Sequence, residues 1–254
     1  MTARDRARAV RNRVKLLVQT LREPNKETFD CPICGYQGPF MDVFRPTGTR
    51  KHAKCPACDA LERHRLQYVV VNKVLEGRDA ARLTALHFAP EPCFSDLFSK
   101  KFGRYESADL VMKGVTHHVD LLNLPFADAS YDFVFASHVL EHIREDERAV
   151  SELRRILRPN GIAILPVPIV AHATIEYPRP SPSEGDHVRA PGFDYFKRYE
   201  RYFSRVDPIG SDAVPSRYQP FVYEDRSVYP TPECPWRPSM PGEKHLDVVP
   251  VCYV

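Results

Sequence analysis

The sequence is poor in several features that would assign it to a particular class of protein. Among its 254 residues, no apolar run is long enough to span a membrane, and the N-terminus has no apolar signal segment. The formal net charge is only +3, so we do not expect a nucleic-acid partner. The hydrophobic share of 43% and the charged share of 27% are ordinary for a globular domain with a full core. We therefore predict a cytoplasmic protein without membrane association.

Glycine is also scarce, with 11 glycines against 24 prolines. The prolines concentrate in the last third of the chain, which favours long ordered loops there. We predict two such loops, at residues 168–192 and 213–244, next to a substrate site.

Residues 2–22 have the pattern of a basic helix. Val10, Val14, Leu17 and Leu21 recur on one face, while arginines crowd the first half. We expect the apolar stripe to pack on the body of the protein, with contact to phosphate or to a partner as the alternative. Residues 1–26 form the first unit of the predicted organisation.

Four of the seven cysteines form two Cys-x-x-Cys pairs, CPICG at 31–35 and CPAC at 55–58. Each pair directs two thiolates at one ion, and two pairs complete a tetrahedral shell with no open position. We predict a structural Zn²⁺ bound by Cys31, Cys34, Cys55 and Cys58 in a small ribbon or knuckle module at 27–60. Cys93, Cys234 and Cys252 have no such spacing and are predicted to be ordinary apolar residues.

After a connecting helix within residues 61–82, short β-branched or aromatic runs alternate with helical patterns from residue 83 to the end. This order is typical of an α/β fold with a mostly parallel sheet and crossover helices. Ligands of such sheets bind at the carboxyl ends of the strands. Asp109 ends the second strand about twenty residues beyond the first loop, where nucleotide-binding domains place the carboxylate that holds a ribose.

The stretch VDLLNLPFADASYDFVFASHVLEHI, with the helix and turn that follow it, resembles the class I S-adenosylmethionine-dependent methyltransferases. The resemblance covers roughly residues 83–170, and the matching positions are Asp120, Leu124, Pro125, Phe126, Tyr131, Asp132, Ser137 to Ile143, Glu152, Arg155, Leu157, Arg158, Pro159 and Gly161. It implies a Rossmann-like domain at 83–254 with a mostly parallel seven-stranded sheet. It also implies S-adenosyl-L-methionine as the cofactor.

The resemblance implies roles for single residues as well. Asp120 and Leu121 would hold the adenine, Asp109 and Leu110 the ribose, and Ser137 and His138 the methionine part. The first loop departs from the family pattern, because LHFAPEP has no glycine. Ala89 is small enough to keep much of the close approach, and Pro90 fixes the backbone. Glu91 is predicted to pair with the cofactor's ammonium group, so that Phe88, Ala89, Pro90 and Glu91 form a rebuilt cofactor site.

Methyl transfer requires a base that removes the proton of the nucleophile. We predict His138 and His187 as catalytic residues, because imidazole titrates near neutral pH. For both, a wall or surface role is the alternative. The predicted substrate-binding residues are Arg63, Arg65, His142, Glu176 and Arg189.

The sequence thus predicts an S-adenosylmethionine-dependent methyltransferase that methylates an oxygen of a small molecule, such as a natural product or a sugar-like metabolite. One alternative is an RNA methyltransferase in which the zinc module and the basic helix hold the nucleic acid. Another is a non-catalytic binding protein that kept the fold and lost cofactor affinity. A monomer and a homodimer both remain open.

Overall fold

The computed structural model describes residues 10, 14, 17, 18, 21, 26–45 and 47–254. Val10, Val14, Leu17 and Leu21 are helical, but they are 61%, 57%, 62% and 74% exposed. The expectation that this stripe packs on the body is therefore wrong for these residues. Val18 is helical and exposed as well, and the other residues of the predicted N-terminal helix lie outside the described residues. Within the described part of the chain, no helix has the length and apolarity that a membrane span requires.

The N-terminal module consists of short strands followed by a helix. They are β1 (Phe29–Asp30), β2 (Gln37–Gly38), β3 (Met41–Arg45), β4 (Gly48–Lys54) and α1 (Glu62–Val74). β1 pairs with β2, and β3 forms an antiparallel hairpin with β4. A small core of Phe29, Phe40 and Ala60 packs around Cys31 and Cys55.

The rest of the chain begins with β5 (Thr84–Phe88), α2 (Pro92–Lys101), β6 (Arg104–Asp109), β7 (His117–His118), β8 (Tyr131–Ala136), α3 (Asp146–Arg155) and β9 (Leu157–Ile164). It continues with β10 (Ile175–Ser181), β11 (His187–Ala190), β12 (Arg205–Gly210), β13 (Val222–Tyr223), β14 (Lys244–His245) and β15 (Val248–Tyr253). Short 3₁₀ turns lie between them, including Leu140–His142 and Tyr195–Arg201.

Seven strands form the central sheet, in the order β12-β15-β9-β8-β5-β6-β7. The pairs among β5 to β9 are parallel, while β15 runs antiparallel to both of its neighbours. The predicted Rossmann-like fold with a mostly parallel seven-stranded sheet is confirmed. The order reverses at β5, so the loops after β5 and β8 open onto the crevice where ligands of such sheets bind.

Alternate residues of the strands bury opposite faces of the sheet. On one face, α1 and α2 pack on side chains such as Phe133, Phe135 and Ile164. On the other face, α3 packs on Leu86, Val134 and others. α2 begins with Pro92 at its first turn and ends with Lys100 and Lys101, residues that suit the two ends of a helix.

The predicted long loops have structure of their own. Residues 168–192 contain the antiparallel hairpin of β10 and β11. Residues 213–244 contain β13, which pairs with both β14 and β4. The hairpin β3–β4 therefore becomes part of a four-stranded sheet, β14-β13-β4-β3, which joins the N-terminal module to the C-terminal part of the chain.

Candidate active site and zinc centre

The two Cys-x-x-Cys turns have the same backbone geometry. Gly35 N donates to Cys31 O at 2.9 Å, and Asp59 N donates to Cys55 O at 3.0 Å. Both turns end on a residue with positive φ, +74° at Gly35 and +64° at Asp59. Aspartate tolerates the left-handed region better than most residues. The second turn can therefore fold like the first, although it has Asp59 where the first has Gly35.

The four thiols converge as a zinc site requires. Cys31 Sγ lies 3.6 Å from Cys58 Sγ, and Cys34 Sγ lies 3.7 Å from Cys55 Sγ. All four sulfur atoms lie within 4.8 Å of one another. A tetrahedron with Zn–S bonds of about 2.3 Å has S–S edges of about 3.8 Å, so the donor set fits Zn²⁺. With all four positions taken by protein, the site is suited to a structural role.

A cavity of about 430 Å³ opens at the carboxyl ends of β5, β6 and β8. It brings together seven of the predicted cofactor residues: Phe88, Ala89, Asp109, Leu110, Asp120, Leu121 and His138. Sequence analysis missed its remaining apolar wall of Val111, Val119, Val139 and Ile143, and the predicted substrate residue His142 also lines it. Pro90, Glu91 and Ser137 do not line this cavity.

The two acids of the cavity have fixed positions. Asp109 Oδ1 accepts hydrogen bonds from Val111 N at 2.8 Å and Met112 N at 2.7 Å. Asp120 Oδ1 accepts one from Leu122 N at 2.9 Å. Each carboxylate closes its own turn and is held at the rim of the cavity. This arrangement fits a nucleoside whose ribose hydroxyls donate to one acid and whose amino group donates to the other.

The glycine-free loop keeps the backbone shape of a glycine loop. Ala89 has φ of +46°, in the region that glycine adopts without strain, and its N donates to Ala108 O at 2.9 Å. His138, after the neighbouring strand β8, has φ of +56°, and its N donates to Pro166 O at 2.9 Å. Strained backbone of this kind persists where surrounding hydrogen bonds impose it, and it concentrates at functional sites.

Glu91 is held by α1 of the N-terminal part. Its Oε1 accepts from Arg63 Nη2 at 2.8 Å and lies 2.7 Å from His64 Nε2. Because His64 Nδ1 accepts from Leu61 N, its Nε2 is the donor to Glu91. Burial raises the pKa of Glu91, but His64 and Arg63 outweigh burial and hold that pKa well below its usual range. Glu91 Oε2 is buried and has no hydrogen-bond partner among the described residues.

A second cavity of about 440 Å³ shares His138 and His142 with the first. Five arginines line it: Arg45 and Arg50 from the hairpin β3–β4, Arg63 from α1, and Arg226 and Arg237 from the C-terminal segment. Carboxylates oppose them. Arg50 pairs with Glu62, and Arg226 and Arg237 both pair with Glu224, at 2.7 and 3.1 Å. Sequence analysis missed all of these residues except Arg63, because their segments are far apart in the chain.

A group of histidines surrounds Glu141 at the floor of the second cavity. Glu141 is fully buried, and its Oε1 lies 3.4 Å from His138 Nδ1, 4.0 Å from His142 Nε2 and 3.9 Å from His187 Nε2. Burial raises the pKa of Glu141, but the three histidines outweigh burial and lower it. For His187, burial lowers the pKa to about 4 although Glu141 opposes this. In the sequence, Glu141 appears only as part of the motif HVLEHI, and no pattern there predicts that its side chain is buried.

The structure places three predicted substrate residues away from the cavity. Arg65 is fully buried, and its guanidinium donates to the carbonyls of Ala53, Ala60, Tyr218 and Gln219. Two positions along α1 from Arg63, it faces the opposite side of the helix. It joins the module to the C-terminal segment, so the prediction that Arg65 binds substrate is wrong.

Arg189 and Glu176 also lie outside both cavities. Arg189 is buried and donates to Leu140 O and Ile143 O, both at 2.7 Å, so it holds the turn that carries Glu141 and His142. Glu176 accepts from Arg189 Nε at 3.0 Å and Arg198 Nη2 at 2.7 Å. These two residues stabilise the site from behind, and neither lines a cavity; their contact with substrate stays a prediction. Ser137 is buried too, with its Oγ 3.0 Å from Gln67 Nε2.

Part of the chain is similar to known methyltransferases. Residues 71–165 match the family model described as "Methyltransferase domain". A Mycolicibacterium smegmatis protein named "Probable S-adenosylmethionine-dependent methyltransferase" is 37% identical over 65 residues, which are 26% of this chain and 23% of that protein. An uncharacterized methyltransferase from Mycobacterium sp. (strain KMS) is 44% identical over 43 residues, 17% of either chain.

Among solved structures, the S-adenosylmethionine dependent methyltransferase from Mesorhizobium loti has 14% identity and a TM-score of 0.49, over 74% of this chain and 97% of that chain. The chain spans 17% and 23% of the length of the first two curated relatives it matches. The region that matches the family model, residues 71–165, begins within α1 and ends just after β9. It leaves out both the zinc module and the C-terminal segment. The similarity to methyltransferases therefore lies in residues 71–165, the part of the chain that matches the family model.

Proposed function

We propose that this protein transfers a methyl group from S-adenosylmethionine to an oxygen of a small polar substrate that carries an anionic group. One observation carries the proposal: the cavity with the nucleoside-type acids and the cavity with five arginines meet at His138 and His142. A methyl donor in the first cavity and an acceptor in the second would be adjacent there. Such adjacency is the main requirement of an in-line displacement.

Asp109 and Asp120 would hold the ribose and the adenine, and the apolar side chains Leu110, Val111 and Leu121 would cover the ring. When bound, S-adenosylmethionine supplies a methyl group on a positively charged sulfur. Glu91, which does not line this cavity but follows Ala89 by two positions in the same loop, is the group that suits the ammonium of its methionine part. The free Glu91 Oε2 atom supports this role, because a buried carboxylate oxygen without a partner is costly.

His138 is the base in this proposal. Its Nδ1 faces Glu141 at 3.4 Å, while its Nε2 is buried without a hydrogen-bond partner among the described residues. A carboxylate at Nδ1 favours the tautomer in which Nε2 accepts a proton, and it stabilises the imidazolium that results. The substrate hydroxyl would give its proton to Nε2. Glu141 therefore acts as a positioning residue, and His187 forms part of the wall beside it.

The substrate class follows from the second cavity. Its arginines bind carboxylate or phosphate oxygens, and its carboxylates Glu184 and Glu224 accept hydrogen bonds from hydroxyls. Unpartnered buried atoms of Arg50, Arg63, Glu184 and Arg237 surround it, so an occupant with many polar atoms is favoured. A sugar phosphate or a sugar acid has this chemistry. RNA is not favoured, because these arginines lie within a cavity and four of them pair with carboxylates.

The test begins with cofactor binding. Native mass spectrometry and calorimetry of the untagged protein should show one bound S-adenosylmethionine. Asp109→Asn should weaken binding at least about tenfold through loss of a charged hydrogen bond. The matched control Asp96→Asn, on the exposed side of α2, should bind as the parent does. If the parent binds no cofactor, the proposal fails and the binding-protein alternative takes its place.

The acceptor is found with a panel of sugar phosphates and sugar acids, each incubated with S-adenosylmethionine and analysed for a mass gain of one methyl group. His138→Ala should lower the turnover at least about a hundredfold while cofactor affinity changes little. If bulk tRNA is methylated while the whole panel stays unmodified, the substrate class proposed here is wrong.

A further inference from the structure

Outside the cysteines, the described residues contain one further cluster at metal-ligand separations: Glu141, His142 and His187. Their ligand atoms lie within 4.8 Å of one another, and the two imidazole rings are 4.8 Å apart at 81°. Glu141 and His142 come from the 3₁₀ turn after β8, and His187 begins β11. The cluster thus joins the end of the central sheet to the hairpin that covers it.

The Glu141 carboxylate is only partly accounted for by His138, whose Nδ1 lies 3.4 Å from its Oε1. It is 0% exposed, and neither oxygen has a hydrogen-bond partner among the described residues. Only histidines face it within ion-pair distance, and no arginine or lysine does so in the described part of the chain. Burial of an uncompensated carboxylate costs several kcal/mol, so a positive charge has to be present in this pocket.

We propose that Glu141, His142 and His187 bind a divalent transition-metal ion of the Zn²⁺ type, separate from the cysteine-bound zinc. Imidazole nitrogen with one carboxylate oxygen is a donor set that such ions take in proteins. With bonds of about 2.1 Å, ligand atoms lie about 3.4 Å apart in a tetrahedron. The separations of 3.9 and 4.0 Å to Glu141 need only a small contraction of the side chains.

Three protein ligands leave an open coordination position, as in catalytic sites and unlike the cysteine site. Both histidines line the arginine-lined cavity, so that position is available to its occupant. Resting on the proposed function, the ion would bind the acceptor hydroxyl oxygen and lower its pKa. The O–H bond then breaks with the proton passing to His138 Nε2. The oxygen lone pair forms the bond to the methyl carbon, and the carbon–sulfur bond electrons remain on the departing S-adenosylhomocysteine.

The experiment uses untagged full-length protein and measures metal by native mass spectrometry and elemental analysis, before and after addition of Zn²⁺ or Co²⁺. The parent should reach two equivalents, and Glu141→Gln and His187→Ala should each reach one. The matched control His172→Ala, an exposed histidine outside the cluster, should keep two. If the parent binds one equivalent, and both cluster variants do too, the inference is overturned and protonated histidine supplies the charge.

A spectroscopic readout protects the result against variants that fail to fold. Co²⁺ added to parent protein that holds one equivalent of zinc, at the cysteines, should give visible d–d bands without the thiolate charge-transfer band of a cysteine site. These bands should be absent from Glu141→Gln. If the spectrum shows only thiolate charge-transfer bands, Co²⁺ binds at the cysteines, and the proposed site at Glu141, His142 and His187 is contradicted.

Cofactor affinity, measured in the same samples, separates the two proposals. Two metals with no S-adenosylmethionine binding would leave the metal site standing and remove the function. Full methyl transfer by protein that binds only one metal would support the proposed function and overturn the second metal site.

Discussion

Ala89 and His138 follow neighbouring parallel strands of the central sheet, and both hold a left-handed backbone at the mouth of the same cavity, with φ of +46° and +56°. In residues with a Cβ this conformation costs about 1 kcal/mol or more. The loop without glycine has thus kept the shape that glycine would allow, at the expense of some strain.

Ala89→Gly should therefore be neutral or stabilising by up to about 1 kcal/mol, because relief of strain outweighs the added chain entropy. The matched control is Ala108→Gly in β6, which is buried and has ordinary strand geometry; it should lose about 1 kcal/mol. Chemical denaturation of both variants measures the difference. A loss in Ala89→Gly as large as in the control would show that the loop carries no strain.

His87→Leu should reduce the acid sensitivity of the fold. His87 is fully buried among Phe94, Phe98 and Phe135, and burial lowers its pKa to about 3 against a weaker opposite effect of Glu91. Because the folded pKa lies below the unfolded value of about 6.5, this stability is present above pH 6.5 and is lost as the pH falls.

Between pH 6.5 and pH 5 the parent should lose about 2 kcal/mol through His87 alone. Denaturant titrations at the two pH values should show a correspondingly smaller loss for His87→Leu. His118→Leu, which replaces an exposed histidine on β7, should keep the full loss of the parent. Parallel pH dependence of parent and His87→Leu would mean that His87 is not buried as a neutral side chain.

Cys58→Ser should remove the structural zinc and, with it, the shape of the arginine-lined cavity. The hairpin β3–β4 contributes Arg45 and Arg50 to that cavity and leads directly to the second pair of zinc ligands. We expect loss of one zinc equivalent by native mass spectrometry and loss of turnover. Cys93→Ser, at a half-buried cysteine that is not one of the four clustered cysteines, should keep the zinc equivalent and the turnover of the parent. Full turnover without this zinc would separate the module from the substrate site.

Arg65→Lys should destabilise the protein by about 2–4 kcal/mol, although the charge is kept. The guanidinium donates to four carbonyls in two separate segments, and a shorter ammonium leaves some of them buried without a partner. Equilibrium unfolding measures the effect. Arg82→Lys, whose side chain is 86% exposed, should stay within about 0.5 kcal/mol of the parent. A similarly small effect at Arg65 would contradict its role as a link between segments.

The sequence predicted the strands and the convergence of the four cysteines well, because these depend on local patterns. Alternation of apolar residues located β5, β6 and β8, and Asp109 was predicted from its position at the end of a strand. The role of Asp120 came from the family resemblance. The fold class followed from the order of these elements. The third strand of the parallel series, β7, is short and consists of His117–His118.

The substrate side could not be predicted in the same way. Arg63 and Arg65 look equivalent in LERHR. Because they lie on opposite sides of α1, Arg63 lines the cavity and Arg65 is buried. His187 and Arg189 both lie on β11, yet only His187 reaches the cavity. Arg226, Arg237 and Glu224 meet the hairpin β3–β4 only through long-range packing, for which a single sequence carries no periodic signal.

The pairing of β13 with β4 also affects the order in which parts of the chain can fold during synthesis. Gln219 Nε2 donates to His52 O at 2.8 Å across 167 positions of sequence, so the hairpin beside the zinc site meets its neighbouring strand only late. A ribosome releases the two cysteine pairs first, and zinc capture can precede everything else. The arginines of the hairpin, however, acquire their partners only after the C-terminal segment has emerged. A nascent chain therefore has its four cysteines available before the arginine-lined cavity can form.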